Sequence, residues 1–443
     1  MLTDVLVPRN RWDLLEPYPV PRPTVSVVIA HYEQPVQLAR TWAALSAQTL
    51  APIEVVVADD GSTRPPTLPD DGPSSRVVTQ PDLGFRAAAA RNLGAAHTRG
   101  EVLVFLDADT VPEPGFLAAL TRRVAVCPDV LAVGRRRHAD LAAMPPGADP
   151  ADEPRLPEPA WLRDGYTRSR DLLDSDGRSF RYFISAVLAC RRELFDDLGG
   201  FDERYVGYGG EDWDLAYRAW NAGAVLVHER NAVAWHDGRD WAGRPEDRDA
   251  KDLESIRLAA LIPEPSTRGA ALPAALPDVL IDLDPGVTAV ELVRVIHSLL
   301  RQSHRDLRVR SARPVDPAVA QLYAGAIQLE PWSTDQLRRA RVRIQVDRPL
   351  PVDAIATTVH VLTERDLGRA VVRTGGERAA VATTTRSLGR ARRWSRRFPD
   401  PRVVLDTFGT VDIEVGEAPR RGDDLASFFD QPRARRSDGQ SNR

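Results

Sequence analysis

Val25-Ser26-Val27-Val28-Ile29-Ala30 and Ile53-Glu54-Val55-Val56-Val57-Ala58 bracket a segment in which Leu38, Trp42 and Leu45 share one helical face. Each bracket is a β-branched run without a sustained polar alternation, as in strands buried on both faces of a parallel sheet. Strand, helix over 35–48, strand is βαβ alternation and predicts a doubly wound α/β domain. In such sheets ligands bind in the crevice beyond the carboxyl ends of the strands. The residues standing just past those ends are therefore the ones to read for chemistry.

Asp59-Asp60-Gly61-Ser62 follows the second run directly. Residues 76–79 read as a further strand, and 86–97 as an Ala-rich helix carrying Arg91 and Asn92. Glu101-Val102-Leu103-Val104-Phe105-Leu106 then ends at Asp107-Ala108-Asp109. Taken singly, Asp-Asp-Gly-Ser reads as a turn and Asp-x-Asp as a solvated loop. Two buried strands delivering carboxylates to one edge read differently, because close carboxylates repel and a bound divalent cation relieves them.

Downstream, Gly207-Tyr208-Gly209-Gly210-Glu211-Asp212 joins a glycine-rich, aromatic-edged loop to a helix start, with Gly223 as its stop. The positive end of the helix dipole favours an ionised carboxylate, so Asp212 is expected to be a base near neutral pH. A base beside a lid of Tyr208, Gly209 and Gly210 suits abstraction of a proton from an incoming hydroxyl. Two apolar runs follow, 224–228 and 232–237. His236 is the candidate to join Asp109 on a metal, with His228 in reserve. One carboxylate, one imidazole and two phosphate oxygens suit Mn²⁺, with Mg²⁺ as the alternative.

The length of 443 residues predicts two domains. A net charge of -4 and 6% aromatics argue against a nucleic-acid surface. No run reaches the roughly 20 apolar residues of a membrane span. Cys127 and Cys190 lie too far apart for a CxxC pair, so a reducing cytoplasm is expected.

In their order, Val25 to Ala30, Asp59-Asp60-Gly61-Ser62, Ala90-Arg91-Asn92, Asp107-Ala108-Asp109, Gly200-Phe201-Asp202-Glu203, Gly209-Gly210-Glu211-Asp212 and His236 resemble inverting, metal-dependent GT-A glycosyltransferases of the family 2 type. Within that family the likeness is to bacterial chondroitin polymerases and related galactosyl- and N-acetylgalactosaminyl-transferases. It covers residues 24–263. The resemblance implies a Rossmann-like, mostly parallel sheet with helices on both faces, a UDP-sugar donor, and a metal held by Asp109 and His236. It further implies that Asp59 contacts uracil, Asp107 the ribose or a metal-bound water, Asp212 acts as base, and Glu211 holds donor sugar or acceptor. Asp60, Arg86, Arg91, Ala30 and Tyr32 are carried over as nucleotide-sugar contacts. Ser185-Ala186-Val187 departs from the family's Gly-Gly-Asn-type segment beside the donor sugar, which leaves that sugar open.

The division expected is an N-terminal arm over 1–23, a catalytic domain over 24–262, a Pro/Ala-rich linker over 263–277, a second domain over 278–420 and a disordered polar tail over 421–443. Leu283, Leu292, Ile296, Leu299, Gln302, Leu307 and Val309 repeat Ile29, Leu38, Trp42, Leu45, Gln48, Ile53 and Val55 without a gap. Periodicity does not require the paired glutamines, so common descent is preferred. Arg313-Pro314 replaces Asp59-Asp60, and Val346-Asp347-Arg348-Pro349 keeps a single carboxylate, so the second domain reads as a degenerate GT-A-like unit without metal. Arg386, Arg390, Arg392, Arg393, Arg396 and Arg397 with Trp394 read as a solvated helix face or as a dock for an anionic acceptor, and Arg135-Arg136-Arg137 allows both readings. Peripheral membrane association stays open on the same grounds. The acceptor is a polysaccharide, lipid-linked glycan, natural product or peptide. Two other classes are weighed: a non-catalytic glycan- or nucleotide-binding protein, for which a base has no use, and a nucleotidyltransferase, which has no evident use for the lid.

Overall fold

A computed structural model describes residues 2–70, 72–239, 248–269, 274–283, 286, 288–312, 314–417 and 425–429. The first sheet contains β1 (Val25–His31), β2 (Glu54–Asp59), β3 (Ser75–Thr79), β4 (Val102–Asp107), β5 (Thr110–Pro112), β6 (Val130–Ala139), β7 (Arg155–Leu156), β8 (Val187–Arg191) and β9 (Val225–Asp237). Their order is β3-β2-β1-β4-β8-β6-β9-β5, with β7 on β6. β1, β2 and β4 are the continuous apolar runs and lie almost wholly buried and parallel, as expected for strands covered on both faces. The helix Pro35–Ser46 crosses between the first two. The two runs after the acidic helix prove to be one strand, β9, whose register against β6 shifts between Gly134 and Arg135. β5 follows β4 in the chain yet pairs with the far end of β9, so the sheet curls back on itself.

The second sheet contains β10 (Val279–Leu283), β11 (Leu307–Ser311), β12 (Ile327–Gln328), β13 (Val342–Val346), β14 (Arg369–Thr374), β15 (Glu377–Thr384) and β16 (Thr410–Val415), in the order β12-β11-β10-β13-β15-β14-β16. This repeats the path β3-β2-β1-β4-β8-β6-β9 strand for strand. The directions agree as well: β10 is parallel to β11 and β13, β15 runs against β13 and β14, and β14 is parallel to β16. The helix Ala289–Leu300 begins and ends 254 positions after Pro35–Ser46. Gln48 and Gln302 do the same work. Gln48 Nε2 donates to Ala44 O and Glu113 O while Oε1 accepts from Leu117 N. Gln302 Nε2 donates to Ser298 O and Pro351 O while Oε1 accepts from Ile355 N. Each glutamine ties the end of one helix to the start of another, which explains why the repeat keeps a residue that periodicity does not demand. The molecule is thus a GT-A domain followed by a second sheet of the same topology. Arg313 lies outside the described residues.

Four expectations are corrected. The N-terminal arm, over its described residues 2–23, packs on the first domain: Thr3 N and Val5 N donate to Ala125 O and Val126 O, and Val5, Val7 and Leu15 enter the first core. The apolar residues there are few, but they fall where the backbone runs along the domain. The linker is in part ordered: Glu264 is buried, and Arg268 at the end of the helix Pro265–Arg268 donates to Ala259 O and Leu276 O and pairs with Asp306, while 270–273 lie outside the described residues. The tail keeps a short helix, Leu425–Phe428, with Phe428 on the second core; residues 421–424 and 430–443 lie outside the description.

Half of the arginine cluster, finally, is neither a solvated face nor a dock: Arg386, Arg390 and Arg393, on the helix Thr385–Trp394, are buried against the first domain, while Arg392, Arg396 and Arg397 stay exposed. Arg386 donates to Trp220 O and Ala224 O with its guanidinium over the Trp220 ring, and Arg390 to Gly223 O, Val7 O and Arg9 O. Arg393 and Trp394 bind the buried Asp129, and Arg392 and Arg397 reach Asp197 and Asp4. The reason is that the end of the helix Glu211–Asn221 offers orphan carbonyls, which forked donors satisfy. Close approach requires glycine on both sides: a Cβ on Gly389 would stand 2.7 Å from Ala222 Cα, and one on Gly223 2.5 Å from Arg386 O. Arg135 is likewise paired, with Glu158 at 3.1 Å.

Candidate functional site

The carboxyl ends of β1, β2 and β4 bring His31, Asp59 and Asp107 to one edge, His31 in register with Asp59 and Ala30 with Asp107. Asp59 is fully buried. His31 Nδ1 lies 2.8 Å from its Oδ1, Ser62 Oγ donates to the same oxygen at 2.6 Å and Ser62 N to Oδ2 at 3.1 Å. Gln34 N donates to His31 Nε2, so the imidazole carries its proton on Nδ1 and donates to Asp59. Asp60 accepts from Gln80 Nε2 at 2.6 Å and from Arg86 N at 2.7 Å. Both carboxylates are thus held by protein donors and brace the loops flooring the cleft. Tyr32 stands at the exposed rim with its hydroxyl on Asp82, and Ala30 O accepts from Ala108 N.

Arg91 is buried and joins two ends of the site: Nη2 donates to Asp107 Oδ1 at 2.7 Å and Nη1 to Glu211 Oε1 at 2.9 Å. These two carboxylates raise its pKa, against burial, which alone would lower it. Arg91 therefore acts as a bridge rather than a free cation for phosphate. Its neighbour Asn92 brackets Phe201, accepting from Phe201 N and donating to Phe201 O and Glu203, which fixes the start of the glycine-rich loop. Within the loop Gly207, Gly209 and Gly210 all have φ between 83° and 95°, where a side chain is strained. A Cβ on Gly209 would come 2.8 Å from Glu254 Oε1. Tyr208 packs on Phe85 at the cleft's edge.

The loop delivers Asp212 in the first turn of Glu211–Asn221, with Oδ1 accepting from Trp213 N at 2.8 Å. Its pKa is pushed up to about 8, first by burial and next by the Glu211 carboxylate, with Glu254 adding to the rise. The Trp213 N–H and Arg91 pull the other way and lose. Burial, and after it the carboxyl groups sharing this corner, thus oppose the expected ionisation, against a dipole that acts over one turn.

The pair expected to hold a metal does converge. Thr110 in β5 is opposite His236 in β9, and Asp237 N donates to Asp109 O, so Asp109 Oδ2 and His236 Nε2 lie 3.6 Å apart. His236 Nδ1–H donates to Gly238 O at 3.3 Å, which leaves the Nε2 lone pair facing Asp109. Gln34 Nε2 holds Asp109 Oδ2 at 3.1 Å. At 3.6 Å the pair is too open for a hydrogen bond but close to the spacing of neighbouring donors around a divalent ion. Among the described residues no cluster of three or more His, Cys, Asp or Glu is poised for a metal. The donor set fits Mn²⁺ or Mg²⁺. His228, the reserve, is instead paired with Asp171 and stacked on Tyr166.

Sequence reasoning missed His31 and Gln34. The signal was a polar residue ending a buried strand in register with Asp59. Among the described residues no helix is long and apolar enough to cross a membrane.

Residues 26–199 match the glycosyl transferase family 2 model, and residues 174–230 the N-terminal domain of galactosyltransferase. Among curated proteins, validoxylamine A glucosyltransferase of Streptomyces hygroscopicus subsp. limoneus is 31% identical over 231 residues, 47% of this chain and 51% of that one. Chondroitin synthase of Escherichia coli is 26% identical over 313 residues, 64% of this chain and 46% of that one. The chain therefore spans about half the length of these relatives. A solved structure of GalNAc-T7 with UDP, GalNAc and Mn²⁺ aligns with a TM-score of 0.38 and 20% identity, over 54% of this chain and 48% of that one.

Proposed function

Since its first domain belongs to the family 2 glycosyltransferases, we propose that this protein transfers a sugar from a UDP-sugar to an acceptor hydroxyl, with inversion at the anomeric carbon. The observation that carries the reading is the Arg91 bridge, which holds Glu211, the neighbour of Asp212, to Asp107, two residues before Asp109. It puts a candidate base and a candidate metal pair in one cleft.

In this reading Asp109 and His236 hold the divalent ion, Mn²⁺ before Mg²⁺. The chemistry supplied by an ion bound there is charge neutralisation on the departing diphosphate. Asp107 and Glu211, held by Arg91, face the ribose and the sugar. Asp212 takes the proton of the acceptor hydroxyl on Oδ2, its Oδ1 being fixed by Trp213 N, as the hydroxyl attacks in line from the far side of the anomeric carbon. A base of raised pKa is the stronger for it. The glycine-rich loop and Tyr208 cover the reacting groups and exclude water.

The acceptor is left as the class of hydroxyl-bearing glycan, lipid-linked glycan, natural product or peptide. Free, buried Cys127 and Cys190, their thiols pushed up to about 12 by burial, suit a cytoplasmic setting. The test is UDP release from a panel of UDP-sugars with Mn²⁺. Release is expected, and loss below detection in Asp109→Ala. Diphosphate release from UTP instead would make the protein a nucleotidyltransferase, and UDP-sugar binding without turnover would make it a binding protein.

A further inference from the structure

Asp212 and Asp214 stand two residues apart, on nearly opposite faces of the helix Glu211–Asn221. Asp214 is fully buried and meets two guanidinium groups: Arg218 Nε at 2.7 Å, one turn along, and Arg339 Nη1 from the second domain. Arg339 closes the helix Thr334–Arg339 and is 1% exposed. Its Nη2 donates to Asp202 Oδ2 at 2.6 Å and its Nη1 also to Leu261 O at 2.8 Å, while its carbonyl accepts from Tyr217 Oη at 2.6 Å and Asn221 Nδ2 at 3.1 Å.

Every one of these partners sits on an element that frames Asp212. Asp214, Tyr217 and Asn221 belong to its own helix. Asp202 begins the segment that leads into Gly207, Gly209 and Gly210. Leu261 ends the helix Arg248–Leu261, whose Glu254 stands against Gly209 and acts on Asp212. A planar fork reaching three elements at once fixes their relative positions in a way that a single ammonium cannot. Buried ion pairs of this kind contribute little net stability over an apolar replacement, so their main effect here is on geometry.

We infer that Arg339 is a positioning residue for the Asp212 base, and hence that the second domain, though its described residues gather no metal-binding cluster, is a working part of the first domain's active site. The inference rests on the reading of Asp212 as base.

Removing Arg339 alone would leave Asp214 short of a partner, so the variant of choice is Arg339→Met with Asp214→Asn, which removes both charges. It is compared with Arg339→Lys and with Asp212→Asn for thermal stability, UDP affinity in Mn²⁺, donor KM and the rate of UDP release from a UDP-sugar that the parent turns over. The expected result is a folded double variant with UDP affinity and donor KM unchanged and kcat down by about 10- to 100-fold, the scale of a sub-ångström to 1 Å misplacement. Arg339→Lys is expected to lose kcat in the same way. Parental kcat in the folded double variant beside an inactive Asp212→Asn overturns the inference and leaves the base standing. Parental kcat in Asp212→Asn removes the base and this inference with it. Should the double variant not fold, Arg339→Lys decides: parental kcat in that folded protein overturns the inference.

Discussion

The two domains share a seven-strand path and a glutamine tie, yet among the described residues only the first gathers histidine and several carboxylates at the carboxyl edge of its sheet. At the edge of the first sheet stand His31 with Asp59, Asp107 with Arg91, and Asp109 with His236. At the matching edge of the second, β11 ends at Ser311, and Asp347 beyond β13 is paired with Arg378 at 2.9 Å. Strand order and the glutamine serve the core in both domains. The second domain keeps its fold and gives its surface to holding the first, through Arg339, Arg386, Arg390 and Arg393.

The sharpest way to break that division of labour is Asp212→Asn, which should reduce UDP release by on the order of 10²- to 10⁴-fold without loss of UDP binding. In the parent the rate should rise with pH through about 8, as Asp212 loses its proton, and a profile already flat at pH 6 would remove it as base. The same shift affects stability. A folded-state pKa raised above the unfolded value of 3.8 means that the folded state holds this proton more tightly. The cost of ionising Asp212 is therefore absent below about pH 4, grows as pH rises and is complete above about 8. Asp212→Asn should match the parent's Tm near pH 4 and exceed it at pH 8.

A smaller effect sharpens the comparison. Gln48→Ala and Gln302→Ala each strand two carbonyls and a helix-start N–H, at about 1–3 kcal/mol apiece. Both should lower Tm by a few degrees. A response from only one of them would mean the matched bonding is not matched in energy. The smallest effect is expected of Asp347→Ala, which should leave UDP release at the parental rate; a loss of activity there would show chemistry in the second domain.

The element types were legible because burial on both faces leaves unmistakable β-branched runs, and because a helix at 3.6 residues per turn writes its apolar face into the spacing. Asp109 and His236 were candidates from their places after apolar runs, and the resemblance supported pairing them, since nothing in the spacing of residues 127 positions apart draws them together. What sequence reading did not disclose was partnership. Asp59, Asp60 and Arg91, read there as ligand contacts, also bond to His31, Ser62, Gln80, Asp107 and Glu211. The arginines of the helix Thr385–Trp394 have the composition of a solvated face and are spent on carbonyls of the other domain.

Taken alone, then, the sequence determined the strands, the helices, the repeat and the identity of the acidic groups, because each follows from local pattern. Only the tertiary structure decided that β5 returns to β9 and sets His236 beside Asp109, that burial and then neighbouring carboxylates raise the pKa of Asp212, and that Arg339 reaches across to the helix Glu211–Asn221. Those three outcomes depend on distances between residues remote in the chain, and electrostatic energies are set by such distances and by burial, neither of which is written in any local stretch.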